Sequence, residues 1–298
     1  LFFDLHTVTS GRWVALPFYL VTGLGHQAVI VFFALSGFLV GGRALVEIGE
    51  GRWDARDYAV HRFARLWTVL IPALIVTAIL DSCGRDVLGL AGYANEYRSI
   101  MALGPTVDVA TSSNVATFIG NIAFLQTIVV QSFGTDVPLW SLANEFWYYC
   151  IIPLVWLALV GRYNLIVRAV AAATALAAVL LLPLPLVVLG SIWLCGALAY
   201  RIKAWVAGLG KVGAAAYGVA ALTGLAAAFA IVLFGRALGN VLPAMLQDGL
   251  ATDIALGLAC AASLPLVCSL PTLGGVYGRV SLWISDISST LYAVHFPF

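Results

Sequence analysis

The sequence predicts an all-α fold: a polytopic integral membrane helix bundle of about nine or ten transmembrane helices. Three observations carry that expectation. Of 298 residues, 62% are hydrophobic and only 10% are charged, where a soluble domain carries roughly a quarter. Mean hydropathy is +1.01. The apolar residues come in continuous runs rather than in alternation, which excludes a β-barrel. A chain of this length cannot hide so much apolar surface in water, because its outside must still be covered with polar atoms. A soluble enzyme, a disordered chain and a nucleic-acid binder are therefore excluded. Lys+Arg 15 against Asp+Glu 14 leave no net field to steer an anionic partner, so charges are read by position.

Runs of about 20 apolar residues suit a hydrocarbon core. They fall at roughly 27–42, 66–81, 139–160, 164–182, 184–200, 212–235 and 249–269. Leu1–Leu5 and 282–298 read as truncated spans, so residues 1–298 are expected to form one transmembrane domain, incomplete at both ends. No signal peptide is readable. The Ala-rich stretches 169–178 and 214–230 suit ordinary close helix packing. The cysteines Cys83, Cys150, Cys195, Cys260 and Cys268 are scattered without metal spacing. They read as small hydrophobes, and no metal site is expected.

The segment Asn114 to Gln131 is long enough to cross but carries Asn121, Gln126 and Thr127. Cytoplasmic loops collect Lys and Arg, so charge bias arbitrates. If the segment crosses, the fifteen Lys and Arg divide six against nine. If it lies in the interface or re-enters, only Arg12, Arg85, Arg98 and Arg236 fall on one side, against eleven on the other. The second arrangement is preferred. It puts residues 43–65 and 201–211 in the cytoplasm and the loops 7–26 and 82–138 outside. A further crossing within 82–113 would keep the same parity.

Ionisable groups inside spans are costly and mark function by default. Those that qualify are His6, Glu145, Asp286 and His295, with Arg62 and Arg65 where a span begins. Ser141 and Glu145 are four apart and share a helix face. Glu145 either snorkels to water or lines a pore, and the polar face with its flanking aromatics favours the pore. Trp140, Trp147 and Tyr148 suit an interface belt. Ser288, Tyr292 and His295 form one stripe, read either as a functional face or as a structural hydrogen-bonded histidine. His6 is a loop residue or a base, imidazole being suited to proton transfer near neutral pH. Arg62 and Arg65, three apart, make a fork for phosphate or a positive-inside anchor.

Several stretches together resemble the acyltransferase type 3 family of membrane acyltransferases. Residues 25–40, GHQAVIVFFALSGFLV, resemble its G-x-x-x-V-x-x-F-F-x-L-S-G-F-L segment, which contains Ser36. Pro138-Leu139-Trp140-Ser141-Leu142 followed by Glu145 resembles its W-S-L-x-x-E helix. Residues 288–297 resemble its S-Y-x-x-Y-L-x-H-x-P ending, with departures at Ser289 and Ala293. Arg62 and Arg65 match its R-x-x-R pair, and residues 196–199 its G-A-L-L-A segment. The resemblance extends over nearly the whole chain.

The resemblance implies transfer of an acyl group, most commonly acetyl, from cytoplasmic acyl-CoA to a hydroxyl of a sugar, cell-envelope polysaccharide or related metabolite. It implies a plasma-membrane location of bacterial inner-membrane type, with no metal and no nucleic-acid partner. His6 corresponds to the family's histidine at the end of the first span, and its arginine eleven residues earlier would precede Leu1. In the expected mechanism Arg62 and Arg65 hold the phosphates of acyl-CoA. The pantetheine arm threads inward about 16 Å, the rise of eleven helical residues. His6 deprotonates the acceptor or relays the acyl group, because a free hydroxyl is a weak nucleophile. Glu145, with Ser141 beside it, orients the imidazole or the acceptor. Ser36, Trp140, Tyr292 and His295 are expected to line the cavity. The rival class is a transporter, which explains polar residues in spans without a reaction, but no internal symmetry of the kind transporters show is visible.

Overall fold

In the computed structural model the described residues are 24–87, 96–97, 107–160, 162–234 and 249–268. Among them, six helices are long and apolar enough to cross a membrane. They are α1 (Gly25–Glu50), α2 (Ala55–Val87), α4 (Leu139–Leu159), α6 (Leu184–Ala207), α7 (Lys211–Phe234) and α8 (Gly249–Val267). The apolar α5 (Leu165–Leu181) has 17 residues, and the short α3 (Val115–Ile122) has eight. Glu96–Tyr97 and Val107–Asp108 make a two-residue antiparallel pairing. The molecule is a multi-pass membrane protein with an all-α bundle. Large apolar side chains such as Leu180, Leu181 and Val212 are left exposed on its outside.

Each of the seven apolar runs lies in a helix, but several helices outrun their apolar stretch. A span's hydrocarbon part ends where charges begin, whereas its backbone ladder ends only at a cap. Thus α1 continues to Glu50 and stops at Gly51, whose φ of +73° is a left-handed cap. α2 begins at Asp54, whose carboxylate accepts from the backbone N–H groups of Arg56 (2.9 Å) and Asp57 (3.1 Å).

α1, α4 and α6 run side by side in the same direction. His26 stacks on Trp140 near their first turns, Ser36 meets Glu145 in the middle, and the Trp156 indole donates to the Leu45 carbonyl (3.0 Å) further on. One end of the bundle gathers arginines. Arg201 lies 5.1 Å over the Trp156 ring, Arg168 donates to the Ala158 carbonyl (3.0 Å), and Arg162 flanks Gly51. These arginines come from two separate stretches, 162–168 and the last turns of α6, that the charge-bias argument put on one side.

The helices approach closely where residues are small, as membrane bundles do in the absence of a hydrophobic drive between helices. A Cβ on Gly37 would sit 1.9 Å from the Trp193 carbonyl oxygen of α6. A Cβ on Gly196 would sit 2.1 Å from the Ala34 carbonyl oxygen of α1. Residues Gly37–Gly41 form one π-helical turn within α1, immediately after Ser36.

Residues 114–138 do not cross as a helix. α3 spans only about 12 Å, and the chain beyond it turns back through left-handed residues Phe124 (φ 56°) and Thr127 (φ 68°). Irregular backbone at membrane depth needs partners within the protein, and side chains supply them. The Trp67 and Trp147 indoles donate to the carbonyls of Ile122 (2.9 Å) and Phe124 (3.0 Å). Gln126 donates to the Leu139 carbonyl (3.0 Å). Asn121 donates to the Gln131 carbonyl (2.9 Å) and accepts from the Phe133 N–H (3.2 Å). Phe124 stacks on Phe146 at 4.4 Å. The segment therefore folds back against α2 and α4 instead of continuing as a spanning helix.

Trp140, Trp147 and Tyr148 do not form the expected belt. Trp140 and Tyr148 are buried, and the Tyr148 hydroxyl donates to the Leu186 carbonyl (2.9 Å). An aromatic with a polar tip suits an interface, but it suits a carbonyl inside the protein equally well.

Candidate functional site

Glu145 sits two turns into α4 and is 4% exposed, so it does not snorkel to water. Its Oε1 accepts from the Ser36 hydroxyl of α1 (2.7 Å) and from the Tyr149 hydroxyl one turn along its own helix. Ser36 Oγ in turn accepts from the Trp193 indole of α6 (3.2 Å). Three parallel helices thus contribute to one buried polar cluster. A buried carboxylate is costly unless hydrogen-bonded and balanced by charge. The two hydroxyls supply most of that support, and the Arg62 and Arg65 guanidiniums of α2 favour the charged form more weakly, without pairing directly with it.

Arg62 and Arg65 occupy the start of α2, at the arginine-rich end. Arg62 is half-buried and Arg65 exposed. The Arg62 Nε is shielded and has no hydrogen-bond partner among the described residues. Tyr58, one turn before Arg62, feels the charges of both Arg62 and Glu145. Its ring packs edge-on to Tyr149 at 6.4 Å. Tyr58, Tyr149 and Glu145 therefore lead from the bundle end towards its middle, with Arg62 one turn further along α2 than Tyr58. Guanidiniums at the mouth can take phosphate, and the carboxylate within can orient a proton-carrying group.

A second polar cluster lies at the opposite end of α1. His26 Nε2 is 2.7 Å from Asp253 Oδ2 of α8, and the His26 ring stacks on Trp140 at 5.8 Å. Phe33 stands edge-on to both Trp140 (6.0 Å) and Tyr148 (5.3 Å), between this pair and Ser36.

Of the sequence-derived candidates, the structure brings together Glu145, Ser36, Arg62 and Arg65. Ser141 is buried on the same helix, and its hydroxyl donates to the Pro138 carbonyl (3.1 Å). Trp140 belongs to the second cluster. His6, Asp286, Tyr292 and His295 lie outside the described residues. Tyr149, Trp193, Tyr58, His26 and Asp253 were not singled out by sequence. Tyr149 carried a signal, being four residues after Glu145 on the same face. Among the described residues no three His, Cys, Asp or Glu side chains gather as a metal set.

No curated protein and no solved structure matches the chain. The family model described as an acyltransferase domain, that of the type 3 acyltransferases, matches residues 3–298. With that match over essentially the whole of a multi-pass helix bundle, the chain belongs to the acyltransferase type 3 family and is a membrane acyltransferase.

Proposed function

We propose that the protein moves an acyl group, acetyl in its simplest form, from cytoplasmic acyl-CoA to a hydroxyl of a sugar, a cell-envelope glycan or a related metabolite. Its setting in this reading is a plasma membrane of bacterial inner-membrane type, and residues 1–298 act as one transferase domain. The single observation that carries the reading is a buried carboxylate, Glu145, within the charge field of two arginines at the arginine-rich mouth. The positive-inside bias supports a cytoplasmic mouth, on the side where acyl-CoA is found.

In this reading Arg62 and Arg65 hold the phosphates of acyl-CoA. The half-buried Arg62, with its shielded Nε, is the inner of the two. Glu145, held by Ser36 and Tyr149, orients an imidazole or the acceptor. His6 deprotonates the acceptor or carries the acyl group as a covalent relay, and Ser141, Tyr292 and His295 border the same path. Membership in an acyltransferase family favours this chemistry over transport. The test is to incubate purified protein with acetyl-CoA and follow free thiol on adding acceptor. Acceptor-dependent thiol release in wild type, lost in His6→Ala, is expected. Release that persists unchanged in a stably folded His6→Ala protein removes His6 from the mechanism. No release from wild type removes the donor assignment.

A further inference from the structure

We propose that His26, held by Asp253 and seated on Trp140, is a catalytic base that takes the proton of the acceptor hydroxyl at the outer mouth. The inference rests on the acyl-CoA reading above, and within it His26 takes the acceptor's proton while His6 keeps the relay of the acyl group.

The geometry begins with a long-range contact. His26 lies in the first turn of α1 and Asp253 in the first turns of α8, 227 positions apart, with Nε2 to Oδ2 at 2.7 Å. Their side chains are 12% and 4% exposed. An ionised carboxylate only accepts hydrogen bonds, so Nε2 carries the hydrogen. The lone pair of the neutral ring is then on Nδ1. That atom is buried and has no hydrogen-bond partner among the described residues. A buried acceptor is costly to leave unanswered. A residue serving only to staple α1 to α8 uses one ring nitrogen and has no task for the other. A base needs it.

The surroundings fit a hydroxyl. The Trp140 indole, stacked on His26 at 5.8 Å and 26°, has a buried N–H with no partner among the described residues. Gln27 Oε1, on the neighbouring residue, is buried and likewise without one. A hydroxyl carries one donor and two acceptor lone pairs, so it can give its hydrogen to Nδ1 and accept from an indole. The carboxylate behind the ring fixes its tautomer and stabilises the imidazolium that forms.

The reach also fits. Tyr149, at the level of Tyr58 and the arginine mouth, is nine residues from Trp140 along α4, a rise of about 14 Å. A pantetheine arm anchored by its phosphates at Arg62 spans that distance. The hydroxyl oxygen attacks the acyl carbon and a C–O bond forms. The C–S bond breaks, and its electron pair leaves with the coenzyme A sulfur. The hydroxyl proton passes to His26 Nδ1 and from there to the thiolate, giving ester and free thiol. Where His6 carries the acyl group first, the C–S bond breaks in that step and the His6 ring proton goes to the thiolate; the acceptor's proton then passes through His26 to the His6 nitrogen as the departing pair returns to it.

The test uses the full chain purified in detergent, acetyl-CoA as donor and two nucleophiles. One is a mixture of methyl glycosides, whose hydroxyls need a base. The other is hydroxylamine, whose neutral amine attacks without one. In His26→Gln, transfer to the glycosides should fall about 100-fold or more, while hydroxamate formation should stay within about threefold of wild type. Asp253→Asn should lower glycoside transfer by about tenfold or more, again sparing hydroxylamine. Equal loss with both nucleophiles would make the pair a structural staple and overturn the proposal, as would undiminished glycoside transfer in His26→Gln. A measurement free of any acceptor is the nitrogen-15 imidazole spectrum. It should show the Nε2–H tautomer for His26 in wild type, and an Nδ1–H tautomer overturns the base. Wild-type protein that releases thiol with neither nucleophile fails the acyl-CoA reading itself, an outcome distinct from selective loss in the variant.

Discussion

Glu145, in α4, and Asp136, in the turn that leads into α4, are both buried, yet their neighbours differ. Glu145 receives two hydroxyls and lies within the field of two guanidiniums. Asp136 receives one hydroxyl, from Thr77 at 3.3 Å. Its other oxygen is buried with no partner among the described residues, and the charge nearest in effect is the like charge of Asp81. Burial, with Asp81 adding to it, pushes the Asp136 carboxyl well above the usual carboxylate range. Asp81 meanwhile accepts from the Thr135 N–H (2.8 Å) and hydroxyl (2.7 Å). Glu145 is thus a carboxylate with hydroxyl partners on two helices, whereas Asp136 and Asp81, through Thr77 and Thr135, fasten the turn before α4 to α2.

That contrast can be broken first at Glu145. Glu145→Gln should lower the turnover of thiol release about 100-fold or more, with the protein still folded by detergent size-exclusion. An active Glu145→Gln beside an inactive Asp136→Asn would reverse the assignment. Next come the arginines. Arg62→Ala should raise the KM for acetyl-CoA about tenfold or more, the scale of one charged hydrogen bond. Arg65→Ala, at an exposed position, should raise it less, and equal effects would point to a shared anchor for the lipid surface. Third, Trp67→Phe removes the indole donor to Ile122 and should cost about 1 kcal/mol in thermal unfolding, leaving KM unmoved.

The smallest effect is expected from Asp136→Asn, and its sign depends on pH. The folded-state pKa is raised, so at low pH both states are protonated and no penalty exists. As pH rises through the ordinary Asp range, the unfolded state ionises before the folded one, and wild type loses stability. Asn has no such loss. The variant should therefore match wild type at low pH and melt at or above it at neutral pH. A variant that matches wild type at low pH but melts below it at neutral pH would show that the Asp136 charge is needed.

The spans were legible because continuous apolar runs leave no other fate for helices in lipid. Their ends were not, because caps such as Asp54 and Gly51 lie beyond the apolar stretch. Glu145 was legible because a carboxylate in a span is rare. Its partners Tyr149 and Trp193 were not, since an aromatic in a span reads as core until a polar atom is placed beside it. That 114–131 is not a spanning helix followed from where arginines fall rather than from the segment's own residues. His26 and Asp253 sit at the outer edges of two spans 227 positions apart, where each alone reads as an end residue. Only tertiary structure brings them together. The belt reading of Trp140 and Tyr148 failed because both fates call for the same kind of residue.

The contact of α1 with α6 has a mechanical consequence. At Gly37 and Gly196 backbone rests on backbone, with no side chain between them to compress or re-pack. Two rods touching in this way resist sliding and parting, so they act as a fixed wall. Ser36 and Trp193 ride on that wall, whereas Glu145 and the two arginines come from α4 and α2. Any breathing that admits a long, thin substrate arm therefore falls to the helices opposite. Each such opening would stretch the Ser36 hydrogen bond to Glu145 before it disturbs the wall.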